Sequence, residues 1–364
     1  MSTACAFSTV VFDLDGTLVA TDGFWIPAAR QGATRAFEEL GLDRPVPTPQ
    51  EWMNLVGLPL ARGIAELLPD LADDQRDRVL ARCVEAENEL LRTRGAFLIP
   101  GVAETLSELD RQGVRMGVAS NCGRDYLAHM LGGLGPLQEY IREGRCLESP
   151  GVIDKADMVA DLLLTFGKRD AVVVGDRAGD RDAAWANGLP FVHCTFGFGG
   201  PGESEGADAV IETPQDLLPV LARRDEWIRK ALEDLGLFGA ERPSGVRVEG
   251  PRAAGKTLWA ERARHLLQAE GVPARLEEGA PDRIALDGSA PERVVYLDAS
   301  EEVRRRRLAG RDRIPGVTAL PGSSALEEDP AVPPDALVLA ADSPLGPVRR
   351  SARAPGLSNR PPRA

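Results

Sequence analysis

The sequence predicts an α/β protein made of a Rossmann-like parallel-sheet core with an inserted α-helical cap, followed by a second, smaller α/β domain. Its 364 residues exceed the length at which a single core stops growing. Short apolar, β-branched runs alternate with longer helical stretches, as in parallel sheets that are buried on both faces. The content of 43% hydrophobic and 27% charged residues is typical of a soluble globular chain.

The predicted strands of the first domain end in polar or glycine-rich loops. The five runs are residues 9–12, 114–119, 171–174, 191–194 and 209–211. In sheets of this kind, ligands collect beyond the carboxyl ends of the strands. We therefore expect the functional side chains to follow these runs directly.

The domain boundaries follow from changes in pattern along the chain. An insertion of about residues 19–96 is predicted to be helical, for example over 52–68 and 73–94, and to lie above the strand ends as a cap. An amphipathic stretch then leads to a Pro- and Gly-containing break, after which a new strand opens at Val246. The predicted units are a first domain at 1–222, a linker helix at 223–242, a second domain at 243–353 and a disordered tail at 354–364.

The charge and cysteine content exclude several classes of function. A net charge of −13 argues against polymeric nucleic acid as a ligand, because backbone phosphates require clustered Lys and Arg. The five cysteines are odd in number and none has metal-ligand spacing, so neither a zinc site nor a disulfide framework is expected. Without a leader-like N-terminus or a long apolar run, we expect a cytoplasmic protein with no membrane segment.

Two carboxylates, Asp13 and Asp15, stand where the first strand gives way to a loop. Side chains two residues apart on a strand share a face, so both acids can point into one pocket. Such a pair is unfavourable unless a cation lies between the acids or one of them is protonated. Magnesium favours carboxylate ligands, and a protonated acid can supply a leaving group with its proton. The alternative is a turn with Asp and Gly at their usual positions.

Three further segments make that alternative harder to sustain. Ser120 and Asn121 end the second strand, Lys155 opens a helix, and Asp176 and Asp180 follow the third strand. Taken singly, a strand-end Ser is usually a cap, a helical Lys is usually solvated, and paired acids can belong to a loop. In this order, they predict a phosphate-handling metal site.

With these motifs, the chain resembles the haloacid dehalogenase superfamily of phosphohydrolases, and within it the phosphoglycolate phosphatase and β-phosphoglucomutase-like group with a helical cap. The resemblance covers about residues 6–222. It includes the segments 52–59 and 186–192. One departure is that relatives often carry an Asp in the loop just after DGTL, where this chain has Val19-Ala20-Thr21 and then Asp22. This concerns the cap hinge more than the chemistry.

The resemblance implies a two-step reaction on a small phosphorylated metabolite. Asp13 would attack phosphorus and form an aspartyl-phosphate. Asp15 would protonate the leaving alkoxide and then activate the water that cleaves the intermediate. Ser120, Asn121 and Lys155 would bind the transferring phosphoryl oxygens, where positioning and charge neutralisation do most of the catalytic work. A phosphomutase uses the same acids and remains an alternative.

The resemblance also implies a bound Mg²⁺ ion. Its ligands would be Asp13, the backbone carbonyl of Asp15, and Asp176. Asp180 would help through a metal-bound water or by orienting Lys155.

Substrate choice in this group comes from the cap. Arg62 would either contact a substrate anion or lie on the surface of its helix. Trp25 and Trp52 would either line the pocket or belong to the cap core.

A second motif opens the C-terminal domain. Residues 250–257 fit GxxxxGK[ST], after a predicted strand and at the start of a helix, as a P-loop requires. Gly250 and Gly255 would let backbone N–H groups cradle phosphates of ATP or GTP. Lys256 would supply a point charge and Thr257 a magnesium ligand. The alternative is a glycine-rich interdomain turn.

The rest of this domain is similar to uridine kinase-type small-molecule kinases. Asp287 would be the acidic strand end that supports the metal, and residues 294–312 would supply a strand and an arginine-rich lid or, instead, a solvated helical face. Such kinases have a longer nucleoside-binding segment than the one between Thr257 and Asp287. Three interpretations stay open: a reduced kinase-like domain on a phosphatase, a bifunctional phosphatase and kinase acting on a nucleoside or other small molecule, and a non-catalytic nucleotide-binding regulatory or assembly module.

Overall fold

The computed structural model describes residues 4–56, 58–94, 98–132, 137–167, 170–239, 241–313, 315–316, 326 and 329–346. The predicted tail at 354–364, and Gly57 of the predicted cap loop, lie outside these residues. The described strands are β1 (Thr9–Phe12), β2 (Arg115–Ala119), β3 (Glu143–Arg145), β4 (Ala171–Gly175), β5 (Phe191–Cys194), β6 (Ala209–Ile211), β7 (Gly245–Glu249), β8 (Ala274–Glu277), β9 (Ala280–Leu286), β10 (Arg293–Asp298) and β11 (Leu337–Ala340).

Helices surround and connect these strands. They are α1 (Asp22–Leu40), α2 (Pro49–Met53), α3 (Leu60–Leu67), α4 (Asp73–Arg94), α5 (Val102–Arg111), α6 (Arg124–Leu131), α7 (Lys155–Phe166), α8 (Ala178–Ala186), α9 (Leu217–Asp234), α10 (Lys256–Ala269) and α11 (Glu301–Arg311). Within the described ranges, no helix is both long and apolar enough to cross a membrane. The five cysteines are all free thiols.

The first sheet has six strands in the order β3-β2-β1-β4-β5-β6, and all neighbouring pairs are parallel. This confirms the predicted Rossmann-like parallel core. Phe12, the last residue of β1, pairs with Val118 of β2 and Val174 of β4. The carboxyl ends of these three strands therefore meet at one edge. The predicted strands are found, whereas β3, a short polar strand without an apolar run, was not predicted.

The cap consists of α1 to α4, and its two connections to the core lie side by side. The chain leaves at Val19 and returns at Leu98, and these two residues form an antiparallel bridge. The amide of Ile99 donates to the Leu18 carbonyl at 3.0 Å. The stretch predicted as one helix over 52–68 is two helices, α2 and α3. Pro59 precedes α3, and a proline disfavours helical conformation in the residue before it.

Helix α9 belongs to both hydrophobic cores. Leu217 and Leu221 pack in the core of the first sheet, whereas Ile228 and Leu232 pack in the core of the second sheet. The helix begins several residues before the predicted linker at 223. The transition between the two domains therefore runs through the middle of one continuous helix.

The second sheet has the order β11-β10-β7-β9-β8. Strands β10 and β11 run parallel to β7, and β9 runs antiparallel to both β7 and β8. Strands β8 and β9 form a hairpin that turns at Gly279, whose φ is 79°. Because of this hairpin, the second sheet is mixed rather than wholly parallel.

Candidate active site

Asp13 and Asp15 lie in the turn that follows β1. The amide of Asp13 donates to the Val174 carbonyl at 2.9 Å, which holds the start of this turn against β4. Gly16 has a φ of 82°, and a Cβ at this position would lie 2.6 Å from Oδ2 of Asp176. Glycine is therefore required both by the left-handed backbone and by the close approach of a neighbouring acid.

Three buried carboxylates converge beyond the strand ends. Oxygen atoms of Asp13, Asp176 and Asp180 lie within 4.8 Å of one another. Burial raises the pKa of each to about 6, and further acids of the cluster add to this effect on each. Oδ2 of Asp13 is sealed from solvent without a hydrogen-bond donor among the described residues. An unpartnered oxygen among converging acids fits a divalent cation with oxygen ligands.

Lys155 neutralises part of this acidic cluster. Its Nζ lies 2.6 Å from Oδ1 of Asp13 and 2.5 Å from Oδ1 of Asp180. Burial disfavours the charged ammonium, but the two carboxylates outweigh burial and hold the pKa of Lys155 well above its ordinary value. Lys155 is the first residue of α7, where the side chain of Asp154 caps the helix by accepting from the Asp157 amide at 2.9 Å.

Asp15 is held by two hydroxyl groups. Thr21 and Tyr126 both donate to its Oδ1, at 2.5 and 2.8 Å. Burial raises the pKa of Asp15, while these hydrogen bonds act in the opposite direction. Neither hydroxyl was predicted. Thr21 lies in the loop where the sequence departs from its relatives, and nothing local distinguishes Tyr126 from other residues of α6.

Ser120 and Asn121 follow β2 and reach the same place. The Ser120 amide donates to the Arg145 carbonyl at 3.0 Å, which extends the sheet by one residue. Both side chains line a cavity of about 360 Å³ between core and cap, together with Asp15. The structure thus brings together the predicted residues at the carboxyl ends of β1, β2 and β4 and at the start of α7.

The cap supplies the opposite wall of this cavity. Trp25 lines it, whereas Trp52 is fully buried beneath and contacts Trp25 edge to face, with ring centroids 6.1 Å apart. Arg62 points to solvent, with a side chain 70% exposed, and pairs with Glu66 at 2.8 Å. Arg62 therefore belongs to the surface of its helix and not to the cavity.

The C-terminal motif forms a loop between β7 and the start of α10. Gly250 has a φ of 135°, and a Cβ there would lie 2.4 Å from the Leu297 carbonyl oxygen. Gly255 and Ala253 also have positive φ, of 96° and 64°. Nζ of Lys256 turns inward and donates to the carbonyls of Gly250 and Pro251 at 3.1 and 3.2 Å. Thr257 is exposed in the first turn of α10.

The prediction for Asp287 is wrong. This residue follows β9, which runs antiparallel to β7, so that the Leu286 amide donates to the Ser244 carbonyl at 2.9 Å. Asp287 consequently lies beside the start of β7, at the opposite end of the strand from the loop, and pairs with Arg242 at 3.4 Å. The acid that ends a strand beside the loop is Asp298 of β10, since Tyr296 pairs with Glu249 in parallel register.

The arginines of α11 make structural contacts. Arg307 donates to the carbonyls of Ala253 and Ala254 in the loop, at 3.2 and 3.1 Å. Arg304 is buried and pairs with Asp329 at 2.6 Å. The sequence left two alternatives for these arginines, a lid or a solvated helical face. Only part of the helix is solvated.

Helix α11 also reaches the first domain. A Cβ at Gly310 would lie 2.0 Å from the carbonyl carbon of Asn187, which follows α8. Just beyond the helix, Arg313 donates to Asp154 at 3.2 Å and to Asp157 at 2.8 Å. The second domain thus contacts the N-terminal end of α7, the helix that begins with Lys155.

Comparisons with known proteins match the part of the chain that contains this site to one family. The family model of haloacid dehalogenase-like hydrolases matches residues 10–194, just over half of the chain. A phosphoglycolate phosphatase of Pectobacterium atrosepticum is 28% identical over 240 residues, which cover 61% of this chain and 95% of that protein. One of Pseudomonas putida is 29% identical over 253 residues, covering 66% and 88%. The crystal structure of a predicted phosphoglycolate phosphatase from Haemophilus somnus shares the fold, with a TM-score of 0.52 at 22% identity, over 59% of this chain and 98% of that one.

Proposed function

The chain belongs to the haloacid dehalogenase-like hydrolase family, and from that premise we propose that it is a magnesium-dependent phosphomonoester hydrolase working through an aspartyl-phosphate. Phosphatase activity is supported by the family and by the relatives. The observation that carries the mechanism is the contact of Lys155 with both Asp13 and Asp180, beside Asp176 and beneath a cavity closed by the cap.

In the first step, a carboxylate oxygen of Asp13 attacks phosphorus, and the bond from phosphorus to the leaving oxygen breaks. Asp15 gives its proton to that oxygen, so that the product leaves as an alcohol. Its raised pKa favours the protonated form that this step needs. Lys155, Ser120 and Asn121 hold the phosphoryl oxygens in line with the attacking carboxylate.

In the second step, Asp15 works in reverse. As a carboxylate it takes a proton from a water molecule, whose oxygen attacks phosphorus and breaks the bond to Asp13. Phosphate is released and Asp13 is restored. The hydroxyl groups of Thr21 and Tyr126 keep the Asp15 carboxyl oriented through both proton transfers.

The acidic cluster would hold Mg²⁺ through Asp13 and Asp176, with Asp180 nearby and with the backbone carbonyl of Asp15. When bound, the ion supplies positive charge that offsets the charge of the transferring phosphoryl group. The substrate is a small phosphorylated metabolite, because the cavity of about 360 Å³ is covered by the cap. The names of the relatives suggest phosphoglycolate as one candidate.

The variant Asp13→Asn tests this function. It keeps the size of the side chain but removes the nucleophilic charge, so magnesium-dependent phosphate release from p-nitrophenyl phosphate should fall by at least about a thousandfold. Circular dichroism of the variant controls for folding. Retained turnover in Asp13→Asn would contradict the mechanism. Release of free phosphate also separates a hydrolase from a phosphomutase, which returns the phosphoryl group to its substrate.

A second, separate proposal concerns the loop at 250–255, which we propose binds the phosphates of a nucleotide such as ATP or GTP without transferring them. The inward-turned Lys256 and the backbone N–H groups at the start of α10 support phosphate binding. The contact of Arg307 with the loop carbonyls occupies a predicted lid arginine, and this argues for a regulatory or assembly role over a kinase.

Calorimetry with ATP and Mg²⁺ tests the loop. Lys256→Ala should weaken ATP binding by about tenfold or more, because an ammonium contact with phosphate is lost. Lys230→Ala is the matched control, since Lys230 is exposed and pairs only with Asp234 among the described residues. Unchanged affinity in Lys256→Ala contradicts the proposal, and ATP-dependent phosphorylation of a nucleoside would support the bifunctional alternative instead.

A further inference from the structure

Glu87 is a buried carboxyl group that the mechanism does not use. It lies on cap helix α4, lines the cavity that also contains Asp15, and is only 8% exposed. Among the described residues it has neither a hydrogen-bond donor nor an ion-pair partner. Burial, and then the charge of Asp15, raise the pKa of Glu87 from 4.5 to about 8. A buried acid without a partner is costly to keep unless a ligand completes its surroundings.

The described lining of the cavity is acidic and apolar. Its charged side chains are four acids, Asp15, Glu87, Asp125 and Glu148, and one base, Arg124. Arg124 is already engaged by Glu148, through the backbone carbonyl and through the carboxylate at 3.9 Å. The rest of the cap wall is mainly apolar and aromatic.

This distribution of charge discriminates between leaving groups. A carboxylate on the leaving group would meet Glu87 and Asp15 with no free cation among the described lining residues. A positively charged amine would instead donate hydrogen bonds to the unpartnered Glu87 carboxyl group and favour its ionised form, so that the two groups form an ion pair. Trp25 and Tyr126, which also line the cavity, offer aromatic rings of the kind that contact ammonium groups favourably.

Building on the proposed phosphatase function, we infer that the leaving group of the substrate carries a positively charged amine, and that Glu87 binds this amine. Glu87 is thus a residue that determines specificity, whereas Asp13, Asp15 and Lys155 act on the phosphoryl group of any ester. The substrate class is that of small amino-alcohol phosphates.

A matched series of two-carbon phosphomonoesters tests the inference. The probes are 2-aminoethyl phosphate, 2-hydroxyethyl phosphate and phosphoglycolate, which differ in charge at the end remote from phosphorus. We expect kcat/KM to be highest for the amine and lowest for the carboxylate, with a difference of about tenfold to hundredfold between amine and neutral ester. A highest kcat/KM for phosphoglycolate overturns the inference.

The variant Glu87→Gln assigns the effect to one residue. It should lower kcat/KM for 2-aminoethyl phosphate by about tenfold or more while changing that for 2-hydroxyethyl phosphate by less than about threefold. Glu89→Gln is the control on the same helix, because Glu89 lies at the surface and pairs with Arg35. An equal loss for all three esters would mean a structural role for Glu87 and would contradict the inference.

Binding to the Asp13→Asn variant separates this inference from the proposed function. Calorimetry on that variant, with Mg²⁺, should give tighter binding of 2-aminoethyl phosphate than of phosphoglycolate, and additional replacement of Glu87 by Gln should abolish the difference. If no ester releases phosphate with the unchanged protein, the proposed function fails. If phosphate is released but the preference for the amine is absent in both turnover and binding, only the inference fails.

Discussion

Two hydroxyl groups share a single oxygen of Asp15, and this arrangement has a measurable consequence at the scale of one residue. Tyr126→Phe removes one donor and keeps the ring, so Asp15 should lose part of its orientation, and kcat for phosphate release should fall by about tenfold. Thr21→Ser is the matched control, because it retains the second donor and should keep most of the activity. A Tyr126→Phe variant with unchanged kcat would show that Thr21 alone is sufficient.

Glu87 also makes stability depend on pH. Its pKa of about 8 in the folded protein exceeds the ordinary value of 4.5, so the folded state favours the protonated acid. As pH rises above about 4.5, Glu87 ionises in the unfolded chain but keeps its proton in the folded chain, so stability falls until about pH 8, where the folded group ionises as well. Glu87→Gln, which cannot ionise, should therefore raise the melting temperature at pH 8.5 by at least about 3 °C, and by much less at pH 5. A thermal shift of equal size at both pH values would contradict the raised pKa.

The residues proposed to handle phosphate could be placed in one site from the sequence because each one stands directly after a strand or opens a helix. Parallel pairing then brings Asp13, Ser120 and Asp176 to one edge whatever the details of the cap. Thr21, Tyr126 and Glu87 could not be predicted in the same way. The contact of Tyr126 with Asp15 depends on how α6 packs beside the turn after β1. The places of Thr21 and Glu87 depend on how the cap sits over the core, and no local pattern in the sequence encodes either arrangement.

At the scale of secondary-structure elements, the contact between α11 and the end of α8 depends on a glycine. Gly310→Ala would place a methyl group 2.0 Å from the carbonyl carbon of Asn187, so the two backbones must move apart. We expect a loss of about 1–3 kcal/mol in stability, measured as a lower melting temperature. Gly179→Ala in α8 is the control, since a Cβ there meets nothing within 4 Å. Equal melting temperatures for the two variants would contradict this expectation, because they would show that the two backbones can move apart without loss of stability.

Helices and strands were predicted well where one spacing of apolar residues continues along the chain, and poorly where the chain reverses direction. The helix at 73–94 and the central strands agree with the sequence pattern. The predicted helix at 52–68 is interrupted before Pro59, because proline disfavours a helical backbone in the residue before it. The helical period of the side chains gives no sign of this restriction. Asp287 was misplaced since the hairpin of β8 and β9 reverses the chain, and so moves the end of β9 to the opposite edge of the sheet.

At the scale of the whole molecule, the second domain contacts the helix that carries Lys155 in the first domain. Arg313→Ala removes the donor to Asp154, which caps the helix that begins with Lys155, and to Asp157 in the first turn of that helix. We expect kcat for phosphate release to fall by about threefold to tenfold, since a small displacement of Lys155 weakens phosphoryl binding in the transition state. Arg311→Ala is the matched control, because Arg311 pairs with its neighbour Asp312 near the surface. Equal kcat values for the two variants would mean that the N-terminal end of α7 keeps its position without the contact from Arg313.

The cap is inserted at a point where the outgoing and returning chains touch, at Val19 and Leu98. The chain therefore enters and leaves the insertion at adjacent points of the core, whatever the length or sequence of what lies between them. Such a connection allows the cap to be exchanged as a cassette: a different insert whose ends meet at the same spacing would leave Asp13 and Lys155 in place. Chimaeras of this kind that retain Thr21 offer a way to change which ester is cleaved while the proposed catalytic residues are kept.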